Sequence, residues 1–183
     1  VALKAANAQL VHKTEEGGVV LSLDTPAAVR EAFLSMESAL GGRMGGAILQ
    51  AMAPAGVETI VGVVHDPSFG PLVMFGTGGT AVELFGDRAF RILPLTDIDA
   101  AELIRSVRGS PLLFGYRGSP EADVAALQDL LLRVGRLAED IPEIAEMDLN
   151  PVIVWPGGAV AVDAKIRLAR GGSNADPTVR MLG

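Results

Sequence analysis

Three oxygen-bearing side chains, Asp148, Asn150 and Asp163, sit in a stretch that otherwise reads as core strand, EMDLNPVIVWPGGAVAVDAKI, residues 146–166. Side chains two apart on a strand share a face, so Asp148 and Asn150 point the same way, roughly 7 Å apart along the backbone. If Pro156, Gly157 and Gly158 form a three-residue turn, Trp155 lies across from Ala159 and Asp163 opposite Pro151. A one-residue bulge at the glycines would bring Asp163 opposite Asn150 and put all three side chains on one face. Two carboxylates held that close repel each other unless a cation lies between them. Mg²⁺ takes such hard oxygen ligands when a nucleotide phosphate completes its shell. The competing reading is of solvating charges on an edge hairpin, with a kink at Asn150-Pro151. Spacing alone leaves both open.

The elements that must position these residues are mostly strands. The opening VALK reads as the inside of a strand and Gly17–Thr25 as a second strand. Thr25 then caps a helix from Pro26, with Val29, Phe33, Met36 and Leu40 on one face. GAILQAM and VETIVGVVH are strands split by the breaker APAG, and DPSFGP turns VETIVGVVH back into PLVMFG as an antiparallel hairpin. TGGTAVELF reads as a glycine loop entering a strand, and RAFRILPL as a further strand. A short helix starts at Asp97 or Asp99, and RGSPLLFGYRGSP reads as loop. The longest helix is expected from Pro120 to about Asp140, burying Val124, Leu127, Leu131, Val134 and Leu137. The pattern is α+β with mostly antiparallel strands and flanking helices, without the regular alternation of a doubly wound sheet.

Composition narrows the function. A net charge of -7 with no basic run argues against a nucleic-acid surface, and the absence of cysteine excludes disulfides, thiol catalysis and cysteine-ligated metal. No window approaches the roughly 18 unbroken apolar residues of a membrane span, and a cytoplasmic setting is expected. The chain opens as though inside a strand and without Met, so the natural polypeptide is expected to extend upstream.

Taken in order, VALK, HKTEEGGV, the run from ILQAM to ELFGD, LFGYRGSP and EMDLNPVIV…AVDAKI resemble the ATP-grasp region of nucleoside-diphosphate-forming acyl-CoA synthetases. The chain is similar to the β subunit of succinyl-CoA synthetase and more so to ADP-forming acetyl-CoA synthetases. The resemblance implies an ATP-grasp domain over residues 1–169, lacking its N-terminal part, and a tail over 170–183. It also implies ATP or ADP and Mg²⁺ as cofactors, and a partner domain or subunit carrying CoA-binding and ligase functions, in an oligomeric assembly.

Position by position, Lys4 matches a lysine that contacts the ATP phosphates. His12, Lys13, Gly17 and Gly18 match the loop over those phosphates. Gln50 and Glu58 match nucleotide contacts in the hinge and ribose regions, although succinyl-CoA synthetases typically have Glu at the Gln50 position. Asn150 and Asp163 match magnesium ligands, with Asp148 at the adjacent acidic position. For His12 two roles stay open: to accept phosphate from a phosphohistidine of the CoA-binding part, or to hydrogen-bond phosphate. The function implied is magnesium-dependent phosphoryl transfer between ATP and a histidine, coupled to acyl-CoA formation or cleavage. The alternative is a non-catalytic regulatory ATP-grasp module of the kind fused to protein acetyltransferases. His65 reads as a turn residue, Met36, Leu40 and Met44 as core, and Arg117 and Glu83 as unassigned loop charges.

Overall fold

A computed structural model of the chain describes residues 1–7, 9–10, 13–14, 16–79 and 86–169. The chain divides into two compact units, Val1–Ala53 and Pro54–Gly183.

In the first unit, strands β1 (Ala2–Ala5), β2 (Val19–Val20) and β3 (Ala47–Gln50) form an antiparallel sheet in the order β2-β1-β3. Helix α1 (Pro26–Leu40) begins as its sequence requires, with the Thr25 hydroxyl accepting the Ala28 N–H at 3.1 Å. It buries Met36 and Leu40 with Met44 against Leu3 and Ala5, confirming these residues as core. Leu3 and Ala5 therefore define the helix-facing side of β1, and Lys4 falls on the other. The second strand is shorter than expected. Ser22 takes a left-handed φ of 58°, and the chain then bonds back through the Leu23 N–H to the Val1 carbonyl.

In the second unit, β4 (Val57–Asp66), β5 (Gly70–Thr77), β6 (Arg88–Ile92), β7 (Ile144–Trp155), β8 (Gly158–Ala161) and β9 (Ala164–Leu168) form one antiparallel sheet in the order β6-β5-β4-β7-β8. Strand β7 is long enough to pair with β8 along its C-terminal part and with β9 along its N-terminal part. The β4–β5 hairpin forms as the turn residues dictate. Asp66 accepts the Ser68 and Phe69 N–H groups, and Gly70 takes the φ of +75° that closes the loop. His65 lies exposed beside it.

Helices α2 (Asp97–Ser106) and α3 (Val124–Asp140) both pack on one face of this sheet, against Val61, Val63, Val73, Phe75, Met147 and Val152. Helix α2 starts at Asp97 because Thr96 and Asp99 form a reciprocal capping box. Three expectations are corrected. Helix α3 starts at Val124, capped by Asp123, rather than at Pro120. Its buried stripe is Leu127, Leu131, Val134 and Ala138, and Leu137 is 37% exposed because it projects about 90° round the helix from that stripe. Residues 110–118 are two 3₁₀ turns rather than open loop, and they bury Leu113 completely because Pro111 starts the first turn and left-handed Gly115 ends it.

Asp87 ties the end of β5 to the segment after α2. Its carboxylate accepts the Arg108 and Gly109 N–H groups, each at 2.8 Å, and the Thr77 hydroxyl at 3.0 Å. Gly109 has to be glycine here, since a Cβ would meet Thr77 Cγ2 at 2.6 Å. Burial pushes the Asp87 carboxyl up, but these donors and the Arg108 charge together hold it below its ordinary value. A carboxyl whose folded value is depressed stabilises the fold above its unfolded pKa, about 3.9, and loses that contribution as pH falls through the folded value. Asp87→Ala is therefore expected to lower stability by about 1–2 kcal/mol at pH 7, with a smaller deficit near pH 3, as read by urea unfolding at both pH values.

Candidate functional site

The closing strands meet through a two-residue turn. Trp155 faces Gly158, followed by Val154 with Ala159, Ile153 with Val160 and Val152 with Ala161. The same register runs on through the Val162 N–H to the Pro151 carbonyl at 2.9 Å and the Asn150 N–H to the Asp163 carbonyl at 3.3 Å. It continues into β9 with Leu149 facing Ala164 and Asp148 facing Lys165. Asp163 thus lies across from Asn150, on the face Asn150 shares with Asp148. The expected three-residue turn with a glycine bulge is corrected, because shortening the turn by one residue produces the same offset.

The irregularity lies on the other edge of β7. Thr59 pairs with Val152 and Val61 with Leu149, so Ile60 alone spans Asn150 and Pro151. On the β8/β9 side the Asn150 N–H and the Pro151 carbonyl are both bonded, to Asp163 and Val162.

Asp148 is half-buried and Asp163 exposed. Burial pushes the Asp148 carboxyl up. Arg88 and Lys165 pull it down, Glu146 and Asp163 push it further up, and the net result lies above the ordinary carboxylate value. Asp163 accepts the Ala164 N–H at 3.1 Å. The set supplies only oxygen donors, two carboxylates and a carboxamide. Among the described residues no group of three or more His, Cys, Asp or Glu side chains is arranged to hold a metal ion. This set suits a hard divalent cation whose remaining ligands come from a bound anion.

Glu58 lies exposed on β4, and its carbonyl accepts the Gly78 N–H at 2.7 Å. Gly78 packs so tightly there that a Cβ would come within 3.0 Å of the Glu58 Cβ. Arg117 takes a left-handed φ of 53°, with its guanidinium 5.4 Å from the Tyr116 ring centroid. Glu83 lies outside the described residues.

The first unit holds the other candidates. Lys4 is 9% exposed in the central strand, paired with Val19 and Ile48. Lys13 and Gly18 close a turn, with the Gly18 N–H donating to the Lys13 carbonyl at 2.6 Å, and the Ala5 N–H fastens this turn to β1 through the Gly18 carbonyl at 2.8 Å. Gly17 supplies the φ of +75° within it. Gln50 ends β3 across from Ala2 and is half-buried. His12 and the tail from residue 170 lie outside the described residues.

Arg88 was missed in reading the sequence. It is exposed at the start of β6, and its charge acts on Asp148. The alternation of RAFRI assigns its face of the strand, but nothing in the spacing says which strands lie beside it.

The ATP-grasp domain family matches residues 1–168. The chain is 41% identical over 173 residues to the β subunit of an ADP-forming acetate–CoA ligase from Pyrococcus furiosus, covering 92% of this chain and 75% of that subunit. It is 43% identical to an ADP-forming acetate–CoA ligase from Archaeoglobus fulgidus, of whose length it spans 25%. Among solved structures, the acetyl-coenzyme A synthetase 1 of Ca. Korarchaeum cryptofilum with coenzyme A and Mg-AMPPCP superposes with a TM-score of 0.81 at 44% identity, covering 92% of this chain and 76% of that one. The same enzyme with coenzyme A and Ca-AMPCP gives a TM-score of 0.83 at 43% identity, with the same coverage. A family match over nearly the whole described chain, agreeing with the antiparallel fold, places the protein: it belongs to the ATP-grasp domain family and is related to the β subunits of ADP-forming acetate–CoA ligases.

Proposed function

We propose that this chain performs the nucleotide half of an ADP-forming acyl-CoA synthetase, whose overall reaction is acid + CoA + ATP ⇌ acyl-CoA + ADP + phosphate. The observation that carries the reading is the placement of Asp148, Asn150 and Asp163 on one face of a sheet whose opposite face packs against α2 and α3. Oxygen donors so placed fit Mg²⁺ with nucleotide phosphates completing its shell. When bound, the cation neutralises phosphate charge as the phosphoryl group moves.

Each candidate side chain then has a role. Asn150 and Asp163, with Asp148 beside them, hold the cation. Lys4 meets phosphate oxygens with its ammonium, and Lys13, Gly17 and Gly18 belong to the loop over the same phosphates. Gln50 and Glu58 hold the nucleoside end. His12 accepts the γ-phosphoryl group. One imidazole nitrogen forms the N–P bond as the bond to ADP breaks, and the proton leaves the other ring nitrogen. Catalysis of this step is positioning and charge stabilisation. The phosphohistidine segment named in one solved relative points toward that protein's nucleotide site, which supports a relay between two parts of such an enzyme.

The thioester chemistry belongs to a CoA-binding and ligase part on a partner domain or subunit, within an oligomeric cytoplasmic enzyme. That the relatives named above are ligases favours this over a regulatory module.

A thermal-shift titration is expected to show a Mg²⁺-dependent rise in Tm with ATP and with ADP, since ligand at 100 times its Kd contributes about 2.7 kcal/mol. Asp163→Asn is expected to abolish that rise and to leave the ligand-free Tm nearly unchanged, because Asp163 is exposed. Equal loss of both would make Asp163 a fold residue. Incubation with γ-labelled ATP is expected to give an acid-labile, alkali-stable label on the parent chain and none on His12→Ala. Label persisting in that variant would remove His12 from the relay.

A further inference from the structure

On the face of the second unit's sheet away from α2 and α3, the proposed mechanism leaves the charged side chain of Arg88 unused. On β6, Arg88 faces Gly76 of β5, and Gly76 faces Ile60 of β4. Ile60 lies opposite the Asn150–Pro151 irregularity of β7, and Asn150 faces Asp163. Directly opposed residues share a face, so Arg88, Gly76, Ile60, Asn150 and Asp163 form one row across the sheet. The adjacent row, from Phe90 through Met74 and Gly62 to Asp148 and Lys165, lies on the same face.

Gly76 makes room for the arginine stem, and the buried side chains of Ile60 and Met74 floor the sheet between that arginine and the oxygens. A Cβ on Gly76 would stand 3.1 Å from Arg88 Cγ, so the arginine stem lies where another residue's side chain would be. Gly62, beside Asp148, has no side chain, and a Cβ there would meet the Met147 carbonyl at 2.7 Å and Met74 Cε at 3.0 Å.

The distances decide what Arg88 can reach. Three strand spacings separate β6 from β7, roughly 14 Å. An extended arginine reaches about 7 Å from its Cα and an asparagine about 3 Å, which leaves a gap on the order of 4–5 Å. That is too wide for direct contact and about the width of a phosphate group. Among the described residues Arg88 makes no ion pair within 4 Å, whereas Arg91, on the opposite face of the same strand, pairs with Glu102 at 3.7 Å.

We infer that Arg88 is a contact for the outermost phosphate of the bound nucleotide, held above Gly76 and Ile60 between the guanidinium and the Asn150 and Asp163 oxygens. The inference rests on the nucleotide reading above and deepens it. The cation and the guanidinium hold the phosphate from two sides, and the planar fork of arginine suits two phosphate oxygens at once. Arg88 would then favour nucleotides by the charge at their phosphate end, triphosphate over diphosphate over monophosphate.

Isothermal titration of the chain with MgATP, MgADP and AMP tests this, using the parent, Arg88→Ala, Arg88→Lys and Asp163→Asn. Arg88→Ala is expected to weaken MgATP by about 10- to 100-fold, as for removal of a charged hydrogen-bond partner. The loss should be smaller for MgADP and absent for AMP, Arg88→Lys should recover part of it, and the ligand-free Tm should stay within about 1 °C because the side chain is exposed. MgATP affinity of Arg88→Ala within twofold of the parent, with Asp163→Asn still losing it, overturns this inference and leaves the site intact. Equal losses for ATP, ADP and AMP also overturn it, since Arg88 would then act on the fold rather than on a phosphate. A parent chain that binds no MgATP removes the site and Arg88 together.

Discussion

The length of one turn governs the site. Side chains alternate faces along a strand, so a one-residue slip between β7 and β9 would send Asp163 to the helix-packed face and leave Asn150 without its counterpart. The two-residue connection at Pro156-Gly157 sets that register at Trp155 and Gly158, and the ladder carries it unbroken as far as Glu146 and Arg167. Hydrophobic burial reinforces it. Ala159 and Ala161 of β8 pack against the core in this alignment, so their burial and the placement of the oxygen donors follow from the same register.

Strand β7 has to serve two edges with different demands. Toward β8 and β9 its backbone bonds run through Asn150 and Pro151 without interruption, whereas toward β4 one residue of β4 faces two of β7. The irregularity therefore falls beside the donors and not within their pairing with Asp163. The sheet around it is divided by face. One side is filled by α2 and α3. The other carries Arg88, Asp148, Asn150 and Lys165 over two glycines whose Cα positions have no room for a side chain.

The first unit repeats this division on a smaller scale. Met36, Leu40 and Met44 cover the Leu3 and Ala5 side of β1, which sends Lys4 to the opposite side of a strand with partners on both edges. A lysine in a central strand is displayed in only one direction. The turn from Lys13 to Gly18 is bonded directly to the end of that strand.

Much of this was legible in the sequence. The order of VALK, HKTEEGGV, the VETIVGVVH–PLVMFG hairpin and EMDLNPVIV with AVDAKI carried the family, and the helix cap at Thr25 or hairpin residues such as Asp66 and Gly70 act over a few neighbours and read correctly. Local patterns determined which residues form elements and which side chains share a strand face. Other features needed contacts distant in the chain. Leu137 fits a helical stripe as well as Ala138 does, and only packing against the sheet chose between them. The 3₁₀ turns over 110–118 form around Leu113, whose burial depends on elements elsewhere in the chain. The register of Asp163 hung on whether two or three residues made the turn, which composition leaves degenerate because Pro-Gly-Gly suits both. Arg88 joins the row of Asn150 and Asp163 only because β5 and β4 lie between their strands. Strand order is set by the burial of whole faces, so tertiary structure alone decided that neighbourhood.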